Sequence, residues 1–143
     1  MSRSKTFASG LSLAAFVVAM AFPVAADPSK LTIELNKLES QDKGCRAYVV
    51  VDNQSAAPFQ ALKLDLVLFQ PDGVIGRRVA IDLAPLKAQK RTVKLFDLDG
   101  TACDKVGSFL INDIVDCKTD AGAVDNCLAA ITVKSLTSVQ LTK

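Results

Sequence analysis

No histidine and no tryptophan occur anywhere in this chain, and tyrosine occurs only once. Without histidine the commonest general base is missing, and with it the Ser-His-Asp and Cys-His arrangements of nucleophilic catalysis. Mixed Cys/His metal sites are excluded for the same reason. The four cysteines, Cys45, Cys103, Cys117 and Cys127, show no C-x-x-C spacing, so neither a dithiol redox motif nor a four-cysteine zinc site is readable. Gly73, Gly76, Gly100 and Gly107 fall at turns and strand starts and make no phosphate-binding loop. The aspartates are scattered over turns rather than gathered as a carboxylate pair. These absences argue against an enzyme: no catalytic residue and no cofactor is expected.

Long apolar runs are also scarce, with one exception at the start of the chain. A short polar stretch with Arg3 and Lys5 precedes an uncharged apolar run, Leu11 to Phe22, then Pro23 and the small residues Val24-Ala25-Ala26. That order is the order of a secretory signal peptide, with cleavage expected before Asp27. A membrane-spanning helix needs about 20 predominantly apolar residues. The run is short for that and Ala-rich, so no stable span is expected after cleavage. Arg3-Ser4-Lys5 lacks a paired arginine and no cysteine stands at the junction, which favours the general secretory route without a lipid anchor.

Removing residues 1–26 also removes the apparent positive charge. Lys+Arg falls from 17 to 15 because Arg3 and Lys5 leave, while Asp+Glu stays at 15. A neutral domain of about 115 residues, with one core, has no electrostatic case for nucleic acid as a partner.

What the mature chain does have is short runs of alternating apolar residues. Leu31, Ile33 and Leu35 mark a first strand, and Cys45, Ala47, Val49 and Val51 a second. Leu62, Leu64, Leu66 and Leu68 mark the third, and Val79, Ile81 and Leu83 the fourth. Gln70-Pro71-Asp72-Gly73 between them is a turn: proline sets φ, and glycine accepts the positive φ at its end. Val93 and Leu95, alternating with Thr92, Lys94 and Phe96, make the fifth strand and place Phe96 outward. Phe109, Ile111 and Val115 make the sixth, and Leu128 to Leu136 the seventh. Seven short strands separated by turn signals predict an all-β fold, an immunoglobulin- or fibronectin-like antiparallel β-sandwich over residues 27–143.

Four cysteines in a small exported domain predict two disulfides. Three pairings are possible, and strand order separates them. Cys117 closes the sixth strand and Cys127 opens the seventh, so a hairpin brings them together. Cys45 opens the second strand and Cys103 follows the fifth, which runs antiparallel beside the second in a sandwich. The expected bridges are therefore Cys45–Cys103 and Cys117–Cys127.

Contact surfaces and cation sites are weaker signals. Arg77, Arg78, Lys87, Lys90, Arg91 and Lys94 gather around the fourth and fifth strands, where such charges commonly guard a sheet edge. Phe69 and Phe96, on the nominal outer face, join Arg77, Arg78 and Lys94 as the candidate partner surface, with Phe59 a further aromatic nearby. Asp97, Asp99 and Asp104 around Gly100 carry a fragment of a calcium-loop pattern, though no glutamate closes it. Asp116, Asp120 and Asp125 form a second acidic loop; in both, turn use of aspartate is the commoner reading and a cation site the alternative. Asn53-Gln54-Ser55 fits a glycosylation sequon.

Residues Leu64-Asp65-Leu66-Val67-Leu68-Phe69, Asp72-Gly73-Val74-Ile75, Arg77-Arg78-Val79-Ala80 and Lys94-Leu95-Phe96-Asp97-Leu98 carry a further signal, joined by Cys103-Asp104 and Asn112-Asp113. Through them the stretch from Pro58 to Gly100 resembles a group of short, mostly alphaproteobacterial periplasmic proteins. Their generic label is "Tat pathway signal sequence domain protein". The resemblance implies a periplasmic location and lends no site residues, and the twin arginine of the label is missing here. At the level of fold the chain also looks like small bacterial immunoglobulin-like modules, which act as interaction domains. The expectation is an exported, non-enzymatic interaction or accessory domain with a protein partner. The alternative is a carbohydrate- or calcium-binding module using the acidic loops around Asp99 and Asp125.

Overall fold

The first hairpin, β1 (Leu31–Gln41) with β2 (Gly44–Asn53), forms where two alternating apolar runs meet across a two-residue turn. Leu31, Ile33 and Leu35 of β1 and Cys45, Ala47, Val49 and Val51 of β2 are all buried on one face. The structure, a computed structural model, describes residues 20–22, 24 and 26–143. The expected signal peptide, residues 1–26, lies largely outside the described residues.

The second hairpin pairs β3 (Ala61–Phe69) with β4 (Ile75–Asp82). Its turn has the expected chemistry: Gly73 sits at φ 85° and its N–H donates to the Gln70 carbonyl. β5 (Lys90–Asp99) then returns to lie antiparallel beside β2, and β6 (Ser108–Thr119) lies antiparallel beside β3. The result is two stacked sheets, ordered β5-β2-β1-β8 and β4-β3-β6, with β8 spanning Thr132–Ser135 and β7 (Gly122–Ala123) and β9 (Gln140–Thr142) both on β6. Leu62, Leu64, Leu68, Leu83, Leu86, Phe59 and Ile111 face the first sheet's apolar side and complete the core. The expected all-β, two-sheet architecture is present.

The last part of the chain departs from expectation. Instead of one seventh strand over Leu128 to Leu136, a single helical turn, α1 (Cys127–Ala130), precedes the short strand β8 (Thr132–Ser135). Leu128, Ala129 and Ala130 are good helix formers, and Asn126 turns the chain into them at φ 56°. The Lys143 ammonium donates to the carbonyls of Leu128 (3.0 Å) and Ala129 (2.7 Å) at the open end of this turn. β8 then joins β1 in parallel, and β9 joins β6 in parallel. Among the described residues the strands are thus nine rather than seven, and two of the pairings are not antiparallel.

The disulfides are Cys45–Cys103 and Cys117–Cys127, the pairs that strand order selects. The first ties β2 to the turn after β5, across 58 residues of sequence; the second ties the end of β6 to α1. Two intramolecular bridges fit an exported protein folded in an oxidising compartment. No helix among the described residues is long and apolar enough to cross a membrane.

Candidate functional site

Among the described residues β5 stands at the end of its sheet, with no strand beside the other side of its backbone. It pairs with β2 over ten successive residues, Lys90↔Asn53 through Asp99↔Gly44, without a bulge. Gly44 permits the close approach at one end: a Cβ there would lie 2.2 Å from the Leu98 carbonyl oxygen. Just beyond the last pair, the Gly100 N–H donates to the Lys43 carbonyl at 2.7 Å. Antiparallel ladders alternate between hydrogen-bonded and non-bonded pairs. That bond therefore sets the phase: Lys90, Thr92, Lys94, Phe96 and Leu98 turn their backbone groups to β2. Arg91, Val93, Leu95, Asp97 and Asp99 turn theirs to the free edge, and the Asp99 carbonyl accordingly accepts from Arg77 Nη1 at 2.9 Å.

The side chains follow the same alternation. Leu98 lies opposite Cys45 and Phe96 opposite Ala47, so both point into the sandwich. Val93 and Leu95 point outward and are 56% and 50% exposed. Opposite them on β2 stand Val50 and Tyr48, both half-buried. Charge borders this apolar strip at one end. Arg46 grips Asp97 with a two-pronged contact, Nε–Oδ1 2.6 Å and Nη2–Oδ2 2.9 Å. The guanidinium holds the Asp97 carboxyl below the usual carboxylate range. Lys37 Nζ lies 5.2 Å from the Tyr48 ring centre. The neighbouring Glu39 carboxylate raises the Tyr48 phenol above its ordinary value.

The expected partner surface is distributed differently. Phe96 is the correction: it is half-buried against the core, because its β2 partner is the inward-facing Ala47. Phe59 is fully buried, and Phe69 is half-buried at the end of β3, on the other sheet from Phe96. Lys94 also faces inward, with Nζ 3.4 Å from the Ala84 carbonyl, and with Arg77 it links β5 to the side of the sandwich bearing β4. Arg78 lies on the outer face of β4, where its fork holds Asp65 at 2.7 Å through both nitrogens; Asn112 Nδ2 adds a third bond at 2.7 Å. Arg78 and Asn112 together lower the Asp65 pKa. Val93 and Leu95 were missed as surface residues because both phases of β5 contain apolar side chains. The usable signal was Leu98, which puts Phe96 in the inward phase once Cys45–Cys103 anchors that end.

The acidic loops do not converge. Asp97 is engaged by Arg46, and Asp104 is exposed in the turn Cys103–Lys105. Asp97 and Asp99 line a shallow hollow of about 250 Å³ with Asp42, Lys43 and Arg46. Asp113, Asp116 and Asp125 line an open groove of about 770 Å³ beside α1, with Lys143 at its rim. Asp120 is outside that groove and accepts from Gln60. Among the described residues no three His, Cys, Asp or Glu side chains gather as a metal site. The sequon residues are structural: Asn53 is fully buried, and its Nδ2 donates to the carbonyls of Ala57 (3.1 Å) and Lys87 (3.0 Å). No protein-family model matches this chain, and neither does any curated protein or solved structure.

Proposed function

We propose that this chain is an exported, non-enzymatic interaction domain of the periplasm, with an immunoglobulin-like arrangement of its sheets, that presents β5 to a protein partner. The observation that carries this reading is the coincidence of a ten-residue edge strand, with no strand beside it among the described residues, and two half-exposed apolar side chains, Val93 and Leu95. Edge strands on soluble proteins are commonly shortened, bulged or interrupted by proline, because an open ladder recruits another chain. β5 has neither bulge nor proline. Recognition by strand addition uses such an edge: backbone bonds supply affinity, and alternate side chains supply selectivity. The neutral mature charge and the order β5-β2 in one sheet, β3-β6 in the other, fit the same reading.

A photo-crosslinking amino acid placed at Val93, and at exposed Ala80 on β4 as the contrast, tests it in the exporting cell. The expected result is a discrete protein adduct from position 93 and none from position 80. No adduct from position 93 overturns the reading.

A further inference from the structure

Resting on that reading, we propose that the partner is a second copy of this chain, paired β5 to β5 in an antiparallel contact whose twofold axis passes through Lys94. A twofold contact must be self-complementary, since each residue meets the mirror position of the same strand. Directly opposed residues in an antiparallel pair share a face, so only a few registers keep the exposed side chains together. Centring on Lys94 sets Val93 opposite Leu95 of the other copy, and Arg91 opposite Asp97. Each of these is exposed in the single chain. Apolar thus meets apolar and cation meets anion, twice over by symmetry. Moving the axis to Leu95 sets Val93 against Asp97 and forfeits this match.

The backbone agrees with the same register. Arg91, Val93, Leu95 and Asp97 are the residues whose N–H and C=O groups face the free edge, so all four meet as hydrogen-bonded pairs. The two Lys94 residues meet as a non-bonded pair on the inner face, and each ammonium is drawn aside by its own Ala84 carbonyl. Pairing stops naturally at the ends, because Arg77 occupies the Asp99 carbonyl and Gln89, at φ 52°, leaves the strand.

Sedimentation of the exported protein over a concentration series gives the first test. Wild type is expected to show a monomer–dimer equilibrium, and Leu95→Glu to raise the dimer Kd at least about tenfold while the fold, read by its thermal transition, is kept. Register is tested separately by Lys94→Cys, because cysteines in a non-bonded antiparallel pair stand close enough to bridge. A disulfide-linked dimer from Lys94→Cys and little from Leu95→Cys supports the axis. Wild type that is monomeric at every soluble concentration, or a dimer indifferent to Leu95→Glu, overturns self-pairing. Linkage from Leu95→Cys in place of Lys94→Cys overturns the register. Self-pairing fails alone if position 93 still cross-links to a different protein, whereas the interaction reading fails if it cross-links to nothing.

Discussion

β4 and β5 are both edge strands on the same side of the sandwich, yet their outward faces are finished in opposite ways. On β4 one large apolar side chain, Ile75, is exposed at the turn, but along the rest of the strand the outward Arg78 is folded down onto Asp65 of the neighbouring strand, and Asn112 joins from the next. The β3–β4 ladder also shifts register near its turn, which breaks the regular edge. On β5 the outward side chains Val93 and Leu95 have no such cover, and the ladder runs true for ten residues. One edge is closed by charge and irregularity; the other keeps its hydrogen-bonding groups and apolar side chains available. A few outward residues thus decide whether a sheet edge is covered or left open, in strands of eight and ten residues.

The comparison breaks most severely if β5 loses its anchor. Replacing both Cys45 and Cys103 by serine removes the bridge that pins the end of β5 to β2, and is expected to cost about 2–5 kcal/mol in a denaturant melt. Amides of Phe96 and Leu98, bonded to β2, should lose exchange protection first, while those of β3 and β4 keep theirs.

A smaller effect sharpens the inside–outside assignment on β5. Phe96→Ala removes a ring packed on the core, and is expected to destabilise by about 2 kcal/mol. Leu95→Glu, one residue earlier, should change monomer stability by less than about 0.5 kcal/mol. Equal costs at the two positions would show that the alternation is wrong.

The smallest effect is in acid. Asp65 is held below the ordinary carboxylate range by Arg78 and then Asn112, and Asp97 by Arg46. A carboxylate depressed in the folded state contributes stability that is present above its unfolded pKa of about 4. That contribution is lost as pH falls through the lower folded value. Asp65→Asn should therefore flatten the fall of the melting temperature below about pH 4. Asp97→Asn should flatten it less, because Asp97 is exposed and Asp65 is buried.

Much of the frame was readable from residue order. In β1 to β4 the regular alternation, as in Leu62, Leu64, Leu66 and Leu68, falls on the core-facing phase, although Val50 on β2 and Val67 on β3 put an apolar residue in the other one. β5 and β6 were harder because apolar residues occupy both phases about equally. In β6 two register shifts opposite β3 move Ile114 toward the core and leave Val115 exposed at 56%, the reverse of simple alternation. A bulge inserts an extra residue and so changes which parity faces inward, and nothing in a local pattern marks it. The helical turn after Cys127 escaped for a related reason: Leu128-Ala129-Ala130 suits a strand or a helix, and the bridge with the Lys143 contacts favours the helix.

By itself, then, the amino-acid order determined the all-β character, the first four strands, the Pro71–Gly73 turn and which cysteines could meet. These depend on the period of one strand and on chain direction, both local properties. Tertiary structure alone decided that Phe96 turns inward while Val93 and Leu95 turn out, and that β8 and β9 pair in parallel on different sheets. Those outcomes depend on which residue of a distant strand lies opposite, and a shift of one position exchanges the two faces. The edge proposed as a contact surface was written in the side chains of β5, but only its pairing with β2 showed which of them face out.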